Sequence, residues 1–174
     1  LKNEKVFING ASGGVGSAVI QLAKIRKANI TAQCSSSKIN QIKKIGAHKV
    51  ISRENNLVKT LGKNKYDVVI DLVAGKNWSQ LLEILKPGGR YATSGAIAGP
   101  IVNFDIRTLY LKDLTFYGCT FQPIKVFKNL ISYIKKGKIK PLVAKTYPLK
   151  EIKKAQKDFV SKKHVGKLVL IPPS

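Results

Sequence analysis

The stretch VFINGASGGVGSAVIQLAK, residues 6–24, constrains this chain more than any other. Branched and aromatic residues run straight into a glycine cluster, and Val15, Ala18, Val19, Leu22 and Ala23 then recur at helical spacing. A strand that passes at once into a helix through nearly bare backbone fits few architectures. Ala11 to Gly16 match the pattern G-x-G-x-x-G, with Ala11 in the first glycine place. In that pattern Gly13 lets the main chain approach a pyrophosphate, and Gly16 lets the helix lie close on the strand. The free N–H groups and positive end of the helix then face the phosphates. A glycine turn alone is a weak signal. One set after a strand, before an amphipathic helix and inside a βαβ unit is the context that marks dinucleotide binding.

The alternation continues along the chain. A strand over Lys5–Asn9 and a helix ending near Lys27 are followed by a strand over Ile30–Gln33. Ile39, Ile42 and Ile45 lie on a helix stopped by Gly46, HKVI (48–51) is a third strand, and Asn55–Leu61 a short helix. YDVVIDLV (66–73) reads as a buried strand, and Trp78, Leu81, Leu82 and Leu85 as the next helix face. KPGGRYATSG (86–95) is a turn into a fifth strand. After a loop come LTFYGCTF (114–121) and a helix bearing Val126, Phe127, Leu130, Ile131 and Ile134. Strands joined by crossover helices imply a parallel sheet covered on both faces, the α/β doubly wound class. Beyond Lys140 the pattern changes. KPLVAKTYPL (140–149) is a short strand ending in a proline turn, and KLVLIPP a last strand. Between them Leu149, Ile152, Gln156 and Phe159 mark a helix with Lys150, Lys153, Lys154 and Lys157 outward. Two units are expected, 1–139 and 140–174.

Composition narrows the function. No apolar run approaches the roughly 18 residues of a membrane span, and no secretory signal opens the chain. Cys34, Cys119, His48 and His164 match no metal-ligand spacing, so neither a metal site nor a disulfide framework is expected. Reduced cysteines point to the cytoplasm. The 32 Lys and Arg against nine acids give a formal charge of +23, but the lysines are spread along the chain on helix outer faces. That distribution reads as solvated surface rather than a nucleic-acid site. The chain holds no Met, even at position 1, which reads as a piece of something longer.

The second strand's end bears on the cofactor. An NAD site places a carboxylate there for the ribose hydroxyls. This chain has QCSSSK (33–38) instead, and no carboxylate between Glu4 and Glu54. Hydroxyls with Lys38 would receive a 2′-phosphate through charge-assisted bonds, which points to NADP. Arg53, after the third strand, could reach the same corner. Asp67 and Asp71 read as structural hydrogen-bonding groups, and Trp78 as core. Nothing near Cys34 forms a catalytic pair with it. No acid, base or nucleophile is assigned as catalytic.

NGASGGVGSAVIQLAK, IGAHKVI, YDVVIDLVAG, LKPGGRYATSG and HVGKLVLIPP together resemble the medium-chain dehydrogenase/reductase superfamily, in its quinone-oxidoreductase-like branch. The resemblance covers essentially the whole chain. It implies a Rossmann fold preceded by a GroES-like catalytic domain to which the tail returns. Ser12, Gly13, Gly14, Val15 and Gly16 would match the pyrophosphate turn, and Ser35, Ser36 and Lys38 the adenosine phosphate stretch. Arg53 stands where many relatives have a tyrosine. Leu72, Val73 and Ala74 would wall the ribose. Gly95, Ala96 and Ile97, with Cys119, Thr120 and Phe121, would line the nicotinamide half, and Lys167 lies in a tail segment that sometimes touches the cofactor. The implied activity is NADP(H)-dependent hydride transfer to a quinone, enone or similar carbonyl compound. A homodimer through the sixth-strand edge is implied too. A zinc alcohol dehydrogenase, with its ligands in the preceding domain, is a variant. A non-catalytic nucleotide-binding or basic polyanion-binding module is the alternative.

Overall fold

The computed structural model describes residues 3–173; Leu1, Lys2 and Ser174, the outer ends of the two expected units, lie outside the described residues. β1 (Lys5–Asn9) is buried on both faces, with Val6 and Ile8 packed into one apolar cluster and Phe7 into another. That two-sided burial is why its sequence reads as a continuous apolar run. β1 pairs in parallel with β2 (Asn29–Cys34) and β4 (Tyr66–Asp71). β3 (Lys49–Ser52), β5 (Leu85–Thr93) and β6 (Thr115–Gly118) complete a six-stranded sheet in the order β3-β2-β1-β4-β5-β6. Every pairing in it is parallel. The order reverses at β1, the arrangement of the Rossmann fold.

α1 (Gly14–Ile25) and α2 (Ile39–Ile45) bring Ile20 and Ile42 onto one face. α3 (Leu57–Leu61) and α4 (Trp78–Glu83) bring Leu57, Trp78, Leu81 and Leu82 onto the other. Trp78 is a core residue. α5 (Ile106–Leu111) and α6 (Ile124–Lys135) bury no residue fully. The tail forms a separate two-stranded parallel sheet, β7 (Val143–Pro148) and β8 (Lys167–Ile171), bridged by α7 (Ile152–Ser161).

Several expectations need correction. Leu85 belongs not to the fourth helix but to β5, which pairs with Tyr66 and then bulges through Lys86-Pro87-Gly88-Gly89, with Gly88 at φ +71°, before rejoining at Arg90. Leu72 and Val73 fall outside β4, because the Asp71 carboxylate takes the Val73 and Ala74 amides out of the ladder. β6 stops at Gly118, so Cys119, Thr120 and Phe121 form a loop. α5 occupies part of the stretch that reads as a loop between the fifth and sixth strands. On α7 the buried residue is Ala155, while Ile152 and Phe159 stay exposed, since a two-stranded sheet covers only a narrow stripe.

Candidate functional site

Parallel strands put all their C-terminal ends on one edge, and backbone hydrogen bonds tie the loops there together. The Ala11 amide donates to Gln33 O at 3.0 Å and the Arg53 amide to Cys34 O at 2.8 Å, linking the loops after β1, β2 and β3. The Ser94 amide donates to Asp71 O at 3.2 Å, Ala98 to Val73 O at 2.9 Å and Cys119 to Thr93 O at 2.9 Å, linking those after β4, β5 and β6. The crevice at the reversal point lies between these two series.

The glycines here answer to different constraints. Gly10 has φ +81°, and a Cβ on it would stand 2.8 Å from Val73 Cγ2. A Cβ on Gly16 would stand 2.4 Å from Gly10 O and 2.7 Å from Ala11 Cα. Both are required by the fold itself. Gly13 is not: its φ of −74° suits any residue, and a Cβ there would meet only Gly10 O, at an ordinary 3.7 Å. Gly13 and Val15 are exposed. Gly13 is the N-cap of α1 and gives it no side-chain cap, so the first-turn N–H groups are left available. A helix start with room over Gly13 and no side-chain cap fits a phosphate pair.

Asp71 organises the neighbouring loop. Fully buried, it accepts from Asn9 Nδ2 at 2.9 Å, the Val73 amide at 2.9 Å, the Ala74 amide at 3.1 Å and the Tyr91 hydroxyl at 2.7 Å. Trp78 Nε1 in turn donates to the Tyr91 hydroxyl at 2.7 Å. Burial, followed by the Asp71 bond, pushes the Tyr91 hydroxyl far up from its ordinary pKa, so it stays a donor. The structural reading of Asp71 thus agrees with the geometry. Asp67 accepts from the Lys5 amide and from Lys86 Nζ, each at 2.7 Å. Burial alone would raise its carboxyl, but these bonds hold it below the ordinary value. Leu72, Val73 and Ala74 follow β4 at this edge, and a Cβ on Gly95 would come 3.1 Å from Leu72 O. Gly95, Ala96, Ile97, Thr120 and Phe121 are all exposed; Ile97 is 74% and Phe121 85% open.

At the end of β2 the arrangement departs from expectation. Ser35, Ser36 and Ser37 form an open hydroxyl corner, with Ser35 Oγ 3.4 Å from Ser37 Oγ. Lys38 does not join it. Its side chain turns inward and is 8% exposed, and its Nζ donates to Lys162 O at 2.5 Å and His164 O at 2.7 Å. Burial chiefly drives its pKa down. The Arg53 amide donates to Cys34 O beside the corner, and its exposed guanidinium is paired to Glu54 at 3.2 Å. β3 thereby carries a carboxylate to an edge that the order of residues suggested was free of acids. Lys167 lies against the start of α1: a Cβ on Gly14 would stand 1.9 Å from Lys167 Cε and 2.6 Å from Nζ. The ammonium therefore sits over the first turn of α1.

The remaining candidates have structural partners. His48 Nδ1 accepts from the Ile30 amide at 3.0 Å. Cys34 is buried, and burial raises its thiol pKa. Among the described residues no group of three His, Cys, Asp or Glu is placed to hold a metal ion. Among them too, no helix is long and apolar enough to cross a membrane.

A parallel sheet in this strand order, with a bare and uncapped helix start at its reversal point, defines a dinucleotide-binding domain of the Rossmann type. Residues 14–136 match the family model for zinc-binding dehydrogenases, and the chain belongs to that family, within the medium-chain dehydrogenase/reductase superfamily. It is 29% identical to rat quinone oxidoreductase, across 97% of this chain and 54% of the relative. It is 32% identical to acryloyl-coenzyme A reductase from Sulfurisphaera tokodaii, across 98% of this chain and 52% of that enzyme. A crystal structure from Sinorhizobium meliloti assigned as an alcohol dehydrogenase superposes with a TM-score of 0.93 at 46% identity, over 99% of this chain and 50% of the other. The chain thus spans about half the length of the curated relatives it matches.

Proposed function

We propose that the chain is the cofactor-binding part of an NADP(H)-dependent oxidoreductase that passes hydride to a quinone, an enone or a similar carbonyl compound. One observation carries the reading: Gly13 is bare where the chain's own packing does not require it, at the uncapped start of α1. The space serves something outside the polypeptide, and the N–H groups beside it select an anion. When bound, the nicotinamide would supply the hydride. The chain's own residues bind and orient it. The amides at Gly14, Val15 and Gly16 and the Lys167 ammonium take the pyrophosphate, beside Ser12. Ser35, Ser36 and Arg53 take the adenosine phosphate. Leu72, Val73 and Ala74 wall the middle, and Gly95, Ala96, Ile97, Thr120 and Phe121 keep water from the nicotinamide end.

In this reading residues 1–139 are the dinucleotide domain, and 140–174 return to a second domain that closes over the exposed Ile97 and Phe121 and polarises the substrate. The relatives' greater length supports that assignment. A homodimer would use the β6 edge. Titration calorimetry with NADPH and NADH tests the cofactor. Both are expected to bind, NADPH more tightly by about 1 kcal/mol, one net hydrogen bond, since Lys38 is engaged elsewhere and Glu54 competes for Arg53. A chain that ignores both dinucleotides yet binds duplex DNA with a steep salt dependence overturns the reading.

A further inference from the structure

Lys38 follows β2 at the adenosine corner, but its ammonium is directed across the molecule into the loop between α7 and β8. The acceptors, Lys162 O at 2.5 Å and His164 O at 2.7 Å, lie 124 and 126 positions further along the chain. An ammonium has three donors and no acceptor. To touch a phosphate in the crevice, Lys38 would have to give up both part-buried, charge-assisted hydrogen bonds and leave the place where its own side chain is 8% exposed.

The loop it grips is fastened elsewhere as well. Lys162 is left-handed, with φ +54°, and ends α7. Val165 packs against the apolar cluster that contains Ile42. Gly166 has φ +91°, and a Cβ on it would meet Leu142 O at 2.5 Å. The Gly166 amide donates to Ser12 O at 3.2 Å and the Lys167 amide to Leu142 O at 2.9 Å. The loop therefore runs from Lys38 at one end to the glycine turn at the other, and it delivers Lys167 onto Gly14.

We infer that Lys38 is a positioning residue for the dinucleotide: it fastens residues 162–164 so that Lys167 lies over the start of α1, and it acts on the phosphates through that loop without touching them. The inference rests on the dinucleotide reading and alters the role of Lys38 within it. A direct ligand of the 2′-phosphate matters for NADPH alone; a fastening for the pyrophosphate cover matters equally for NADH.

The test measures both dissociation constants for the wild-type chain, Lys38→Gln, Lys167→Gln and the double variant. Lys38→Gln is expected to weaken NADPH and NADH by the same factor, about tenfold, and to add less than about twofold on the Lys167→Gln background, because the two act as one unit. Loss confined to NADPH, or full additivity, overturns the inference. Without cofactor, hydrogen exchange of amides 162–167 is expected to speed up in Lys38→Gln while β1 and β2 amides keep their protection; unchanged loop exchange overturns it. The wild-type chain with 15N-labelled lysine gives a reading that needs no variant to fold. The Lys38 Nζ signal should respond alike to NADH and NADPH, and a shift seen with NADPH alone overturns the inference. Binding of neither dinucleotide by wild type would overturn the site reading itself, and this inference with it.

Discussion

Around β1, β2 and β3 the chain closes both faces of its own sheet, whereas around β6 it leaves apolar residues in solvent. Ile20, Ile30 and Ile42 are wholly inaccessible. At the other end Ile106 is 58% exposed, Phe127 57% and Tyr117 49%, although α6 is no less amphipathic in sequence than α1. An apolar stripe states that a face needs cover; it does not state who provides it. The same contrast divides the sheet's C-terminal edge, where Lys167 from the tail covers the start of α1 while Ile97 and Phe121 stand open.

Two pairs of variants and two single ones can break or sharpen this contrast. The largest effect is expected at Gly16, where a side chain would run into the Gly10 carbonyl and Ala11 main chain. Gly16→Val should cost at least about 3 kcal/mol by urea denaturation. Gly13→Val should change stability by less than about 0.5 kcal/mol yet lower dinucleotide affinity at least about 100-fold, or ~2.7 kcal/mol. Equal destabilisation by the two would mean that both glycines serve the fold. Next, Ile20→Ala should cost about 3 kcal/mol and Phe127→Ala less than about 0.5 kcal/mol. Similar losses at both sites would show that α6 has cover in solution and would erase the contrast.

Smaller is the effect of Glu54→Gln. Freeing Arg53 from its partner should raise the NADPH-over-NADH preference about threefold, within the range of an exposed ion pair; no change in the ratio would remove Arg53 from the adenosine corner. The smallest concerns Asp67, between the two regions. Its folded pKa lies below the ordinary 3.8, chiefly because its bonds to Lys86 and the Lys5 amide outweigh burial. Its contribution, no more than about 1 kcal/mol, is therefore fully present above that ordinary value and lost as pH falls through the lowered one. Asp67→Asn should flatten the acid limb of the stability profile and leave its slope near neutrality unchanged; an unaltered acid limb would count against the pairing.

What could be read from the residues in order is what is local along the chain. Strand, glycine turn and helix are contiguous from Lys5 to Ile25, so the turn and the packing role of Gly16 are legible. Asp71 and Trp78 were legible as structural groups from their setting in apolar elements. Lys38 was not, because its acceptors come from the tail. Glu54 is hidden for the same kind of reason: it counts as distant until β3 lies beside β2. α5 has only six residues, Ile106–Leu111, too few for its period to stand out. Leu72 and Val73 look like strand residues until the Asp71 carboxylate is seen to hold the next amides.

The clasp of Lys38 and Lys167 also sets an order of events. A chain made from its N-terminus presents the glycine turn early and can assemble its six-stranded sheet once β6 has emerged. At that moment Lys38 still faces water and α1 still begins in the open, since His164 and Lys167 have yet to be added. Only when α7 and β8 leave the ribosome does the lysine go under cover and the turn gain its lid. Translation halted between Ser161 and Lys167 would therefore release a molecule with its parallel sheet whole and the start of α1 uncovered.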